Sequence, residues 1–156
     1  MLSSPDVTGD LLDNPFLDSL GVEQTAWRDG YAEFRLALRP SLLNRHGVLQ
    51  GGVLATLLDV ACGYAGIFSS DPGRPLHGVT LSLSLNYLAR GVGSTVVAKG
   101  FVDRRGRSVY FARGEAWLDG RVRIATAQGT FKYTRAPLAG LRETPGRPRL
   151  TGLDEV

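Results

Sequence analysis

The sequence is poor in cysteine and histidine, and each shortage removes a class of function. One cysteine in 156 residues rules out an intramolecular disulfide framework and any all-cysteine metal site, which suits a reducing, cytoplasmic setting. The two histidines, His46 and His77, have no carboxylates or cysteines beside them at ligand spacing, so no metal is expected. The start, MLSSPDVTGD, has no basic leader followed by an apolar run, and no secretory signal is expected. Its first twenty residues are too short to hold a helix-turn-helix. Few aromatics are interleaved with the bases, which speaks against nucleic acid as a partner. No strand–helix–strand alternation occurs, and this argues against a doubly wound sheet.

What is present fits one globular domain. At 156 residues, 43% apolar and 21% charged, the chain is long enough for a real core and too short for two. Net charge is +3 but unevenly placed: residues 1–30 carry six acids and one arginine, while 99–156 carry twelve bases and six acids. Phosphate-bearing partners are therefore one reading of the second half, and arginines on solvated strand faces are the other.

One stretch dominates, NRHGVLQGGVLATLLDVACGYAGIF, from Asn44 to Phe68. From Gly51 to Phe68 almost every residue is apolar or small, which predicts a helix buried on every side. Asp59 is its only charge, and a carboxylate among apolar neighbours needs a partner or a task. The length approaches that of a membrane span. Asp59 and the strand-like segments that follow favour a core helix, so no membrane is expected. Gln50-Gly51-Gly52 precedes the helix, where two glycines allow close approach and the first turn leaves N–H groups unpaired at the positive end of the dipole.

Around this helix the chain reads as strands. Residues 1–9 read as a loose leader, Asp10 to Leu20 as a short helix ending at Gly21, and 135–156 as a flexible basic tail. Val22 to Arg28 and Tyr31 to Leu38 form a hairpin around Asp29-Gly30. Val79 to Leu88 alternates strictly, and Thr95 to Asp103, Ser108 to Leu118 and Val122 to Tyr133 follow in meander. The expected fold is α+β, a single domain over 10–134 in which a curved antiparallel sheet of about six strands wraps one long helix. Such a sheet covers the helix on one side only. A second copy of the chain would hide the other, so a homodimer is the expected minimum, with dimers able to pair into tetramers.

These features resemble the hotdog-fold thioesterases, specifically the PaaI-like acyl-CoA thioesterase group named for phenylacetic acid degradation. The resemblance covers roughly Asn14 to Tyr133. Asn44-x-x-Gly47-x-x-Gln50-Gly51-Gly52 followed by Asp59 is similar to the family pattern N-x-x-G-x-x-H-G-G with an acid nine residues after the histidine position. Gly78-Val79-Thr80 and Asn86-Tyr87-Leu88 add support. Gln50 departs from the family's histidine: an amide donates and accepts hydrogen bonds but exchanges no proton near neutral pH.

The resemblance implies hydrolysis of an acyl-CoA to free acid and coenzyme A, with no cofactor beyond the coenzyme A of the substrate. In that scheme the Gly51 N–H holds the carbonyl oxygen, Gln50 shapes the carbonyl pocket, Gly52 borders the coenzyme, and Asn44 bonds the carbonyl or the water. Asp59 acts as general base or nucleophile, and Thr80 stands where relatives place a water-positioning hydroxyl. Arg90, Arg104 and Arg105 are candidates for the phosphates. The acyl group would lie near Val53, Leu57 and Tyr64. Gly51 and Asp59 are eight residues apart on one helix, about 12 Å. They cannot both touch one thioester carbon, so the site is expected to be shared across the dimer. The alternatives are a turn role for Asn44, a small core residue at Cys62, a catalytically silent acyl-CoA-binding protein, and a hotdog dehydratase or hydratase.

Overall fold

The computed structural model describes residues 14–135. The expected leader over 1–9, the start of the first helix at 10–13 and, but for Arg135, the expected tail lie outside the described residues. Helix α1 is Pro15–Leu20, with Asn14 as its cap: the Asn14 side-chain oxygen accepts from the N–H groups of Phe16 and Leu17 at 3.2 and 3.3 Å. Pro15 fills the first turn, where its missing N–H costs nothing, and Gly21, at φ +74, ends the helix in the left-handed region.

Strands β1 (Val22–Arg28) and β2 (Tyr31–Ala37) form the expected hairpin, with Ala32, Phe34 and Leu36 fully buried on one face. Helix α2 then runs Gly51–Gly66, two residues shorter than the apolar run. Strands β3 (His77–Tyr87), β4 (Thr95–Arg105), β5 (Val109–Leu118) and β6 (Val122–Thr134) complete one antiparallel sheet in the order β1-β2-β4-β5-β6-β3. The chain therefore crosses the whole sheet through α2 and leaves β3 as a free edge.

Glycine and alanine make the trough in which α2 lies. Gly100 on β4 pairs with Gly114 on β5, and a Cβ at Gly100 would overlap the Ala61 carbonyl of α2, while one at Gly114 would come within 2.8 Å of the Cys62 sulfur. Leu54, Leu57, Leu58, Ala61, Cys62, Ala65 and Gly66 face this trough and are buried, a spacing of three and four that marks one face of a helix. Within one chain Val53, Ala55, Thr56, Asp59, Val60 and Gly63 stay partly exposed, which is the one-sided cover expected of the sheet. Strict alternation in β3 is corrected, because a bulge between Thr80 and Ser82 shifts its register against β6. On the sheet's outer side Glu33 faces Lys99 at 3.8 Å, and Arg113 pairs with Asp103 at 3.0 Å.

Candidate active site

The tip of α2 is held by backbone on both sides. Gln50 N–H donates to the Leu42 carbonyl at 2.9 Å and Leu49 N–H to the Gly91 carbonyl at 3.0 Å, which seats the helix start between the 40–43 loop and the loop after β3. Gln50 is extended, exposed, and makes no cap with its side chain. The Gly51 and Gly52 N–H groups meet no acceptor among the described residues, as expected for the first turn of a helix. Gly52 is exposed, and a Cβ there would have nothing within 4 Å. Two donors without an acceptor among the described residues thus stand at the positive end of the dipole, with Gly52 exposed.

Asn44 takes the turn role. Its side-chain oxygen accepts from the N–H of His46 at 2.9 Å and of Val48 at 3.3 Å, and its carbonyl accepts from Gly47, which turns at φ +70. The glycine at 47 is needed for that left-handed turn, and the loop it closes delivers Gln50 to the helix start. Only the Asn44 amide nitrogen remains for a substrate.

Asp59 is half-buried, not sealed in an apolar core, and it faces β3. The Thr80 hydroxyl donates to its carboxylate at 2.8 Å, which fixes one oxygen and leaves the other for a water or a thioester. Both residues lie at the exposed boundary between α2 and the sheet edge. Gly51 and Asp59 occupy the same unbroken helix, so the separation of about 12 Å stands.

Cys62, one turn from Asp59, is fully buried, and desolvation, with the Asp59 and Asp103 charges adding to it, pushes its thiol up to about 12. It is a core residue. Tyr110 donates to the Gly63 carbonyl at 2.8 Å, and burial raises its phenol above the ordinary range. Of the residues expected beside the acyl group, Leu57 is wholly in the core while Val53 and Tyr64 are half-buried, and Tyr64 packs against Trp27 and Phe34.

The arginines separate. Arg90 borders two adjoining depressions by the α2 tip, one of about 540 Å³ with Asn44, His46 and Val48, the other of about 340 Å³ with Leu54, Tyr87 and Leu88. Arg104 and Arg105 end β4, and Arg105 pairs with Tyr110, whose hydroxyl reaches the far half of α2. Arg105 also bonds Asp29 at 2.8 Å. One chain therefore cannot present Arg90 and Arg105 to the same coenzyme. Arg113 and Arg123 are likewise engaged with acids on the outer face, which weakens the phosphate reading of the second half. Among the described residues no cluster of three or more His, Cys, Asp or Glu is placed to hold a metal, and no helix is long and apolar enough to cross a membrane.

Sequence reasoning gave Tyr87 no role. Its hydroxyl donates to the Gly51 carbonyl at 2.9 Å, a contact between residues 36 apart that no local pattern signals.

Comparison with known proteins assigns this fold to the thioester-hydrolase class. The Thioesterase superfamily model matches residues 46–125, and the chain belongs to that family. The match takes in Gln50, Gly51, Asp59, Thr80 and Arg90, and begins two residues after Asn44. A Pseudomonas aeruginosa protein provisionally named an esterase, PA0474, is 35% identical over 76% of this chain and 87% of its own. The medium/long-chain acyl-CoA thioesterase YigI of Salmonella typhimurium is 28% identical over 75% of this chain and 84% of its own. Among solved structures, BH2602 of Bacillus halodurans, determined with CoA, aligns at TM-score 0.72 and 25% identity, covering 82% of this chain and 83% of that one. The E. coli PaaI protein shares the fold at TM-score 0.71 and 21% identity, covering 79% and 86%. The six-stranded sheet around one helix is the hotdog fold, and the chain is a thioester hydrolase.

Proposed function

We propose that this hydrolase cleaves acyl-CoA to free acid and coenzyme A at a site completed by a second copy of the chain. The observation that carries the reading is the split of the chemistry along α2: free N–H donors at Gly51 and Gly52, and a carboxylate held by Thr80 two turns away. Strand β3 supports the pairing. It is a free edge whose Val79 and Leu81 are 48% and 45% exposed, and an antiparallel partner there would bury them and continue the sheet. A twofold axis at that edge sets the two α2 helices antiparallel, bringing the partner subunit's Asp59 toward this chain's helix tip.

In that arrangement the Gly51 N–H holds the thioester oxygen. Asp59 takes a proton from water as the water oxygen bonds to the carbonyl carbon, and the resulting oxyanion is stabilised by the donors at the tip. Collapse breaks the carbon–sulfur bond, and the thiolate leaves as coenzyme A with the proton from Asp59. Gln50 contributes hydrogen bonding only. Arg90, which borders the depression at the α2 tip, serves the coenzyme phosphates, and a similar structure determined with CoA supports coenzyme A as the ligand. No cofactor beyond coenzyme A, no nucleic acid and no membrane enters the scheme. The single cysteine suits the cytoplasm, and the outer sheet face is free for dimers to pair.

The test is complementation by mixing. Asp59→Ala chains and chains disabled at the tip by Gly51→Val should each release no thiol from decanoyl-CoA, while verified heterodimers regain one working site. Heterodimers with no recovery would falsify the shared site, and acyl-CoA binding without any thiol release by the wild type would make the protein a silent binding module.

A further inference from the structure

Tyr87 closes β3 with 57% of its surface exposed, yet it is tied to the tip of α2. The Gly51 carbonyl is served within the helix by the N–H four residues on, so the Tyr87 bond is not needed to satisfy it. A Cβ at Gly51 would lie 3.4 Å from the Tyr87 ring, so the ring rests against the glycine while the hydroxyl reaches its oxygen. The Gly51 carbonyl and the Gly52 N–H belong to one peptide unit. A donor on that oxygen draws electron density from the nitrogen and strengthens the N–H as a donor, by about 10–30% for bonds in series. That N–H has no acceptor among the described residues, and Gly52 itself is exposed. The ring also walls the depression shared with Leu54, Leu88 and Arg90.

We propose that Tyr87 is a positioning residue of the thioesterase site: its hydroxyl fixes the first peptide plane of α2 and sharpens the Gly52 N–H as a second donor to the oxyanion, beside the Gly51 N–H. This rests on the reading that the α2 tip holds the substrate carbonyl. The oxyanion's charge develops toward the tetrahedral intermediate and is absent from the bound thioester, so the effect belongs to kcat, not KM. Losing a whole oxyanion donor costs about 100- to 1000-fold, and weakening one by about 10–30% gives about 1.6- to eightfold.

Tyr87→Phe in the full chain removes the hydroxyl and keeps the wall, and an exposed ring of the same shape does not endanger folding. Thiol release from decanoyl-CoA should show kcat down about threefold with KM unchanged. The trifluoromethyl ketone analogue of decanoyl-CoA, whose hydrate carries the tetrahedral oxygen, should bind weaker by the same factor, while coenzyme A binding stays as it was. That binding ratio does not respond to a loss of active fraction, so a merely structural role would not move it. Tyr87→Leu, which also removes the wall, should raise KM as well. Unchanged binding of the analogue to Tyr87→Phe, or a kcat within about 1.5-fold of wild type, overturns the proposal. Asp59→Ala in the same assay separates the two readings: full activity there removes the mechanism above whatever Tyr87 shows. Wild-type protein that releases no thiol from decanoyl-, acetyl- and phenylacetyl-CoA overturns both.

Discussion

Adding one methyl group at Gly100 should unseat the central helix. Gly100 lies in the middle of β4, between Ala32 of β2 and Gly114 of β5, and its missing side chain is the space that the α2 backbone fills. The Cβ of Gly100→Ala would overlap the Ala61 carbonyl and stand 2.7 Å from the Cys62 nitrogen. A helix backbone cannot rotate out of the way as a side chain can, so α2 must lift by about 1 Å or more. Overpacking of a core costs about 1–3 kcal/mol, and contact with backbone puts this case near 3. With an unfolding entropy of ~2.1 cal/mol/K per residue over roughly 120 residues, that loss lowers the melting temperature by about 12 °C. Gly63→Ala is the counterpart on the helix. Its Cβ would sit at 3.6 Å from the Phe131 ring, ordinary contact, and replacing a helix glycine gains about 0.5–1 kcal/mol, or roughly 2–4 °C. Thermal melts followed by circular dichroism at matched protein concentration read both. A Gly100→Ala melt within about 2 °C of the parent would refute the close-packed trough.

Other perturbations have equally definite outcomes. Thr80→Val removes the donor on the Asp59 carboxylate; a charge-assisted bond at a partly exposed site is worth about 1 kcal/mol, so kcat should fall about fivefold, with Thr80→Ser restoring most of it. Equal rates for all three would remove Thr80 from the site. Cys62, pushed up to about 12 by burial, should not react with a disulfide reagent at pH 8 in the folded protein and should react at once in denaturant, as mass spectrometry would show. At Glu33 burial raises the carboxyl, but hydrogen bonds from Tyr31 at 2.6 Å and Thr25 at 2.8 Å, with the Lys99 and Arg28 charges, outweigh it and hold it below its ordinary value. A lowered folded-state value means stability present above the unfolded pKa and lost as pH falls through the folded one. Urea midpoints measured between pH 6 and pH 3 should therefore fall less steeply in Glu33→Gln than in the parent.

Much of this was legible because it is local. The start of α1 falls at Pro15 behind the extended Asn14 cap and not at Asp10, whereas Gly21 after Leu20 marks its end as read, since a left-handed stop acts within a few residues. Asp29-Gly30 closes the β1–β2 hairpin for the same reason. The Gln50-Gly51-Gly52 run with Asp59 on the same helix needed only the helix repeat to show that its two ends cannot meet one carbon. The illegible parts depend on distance in the chain. The bulge at Thr80 and Ser82 arises from pairing with β6, about fifty residues on, and strict alternation gave no sign of it. Side-chain chemistry alone could not choose between a substrate role and a turn role for Asn44; the loop geometry did, by pointing its oxygen at two backbone N–H groups.

Sequence alone determined the class of fold and the separation of Gly51 from Asp59 along α2, because periodicity and spacing along one helix are properties of the chain itself, while the family was legible through the likeness of the Asn44 to Asp59 motif to a known pattern. Tertiary structure alone decided that β3 is an open edge, that Thr80 holds Asp59, that Tyr87 clasps Gly51, and that Arg90 and Arg105 stand at opposite ends. Those are meetings between residues about 20 to 75 positions apart, set by which strands find each other across the sheet, and no periodicity in the chain encodes them.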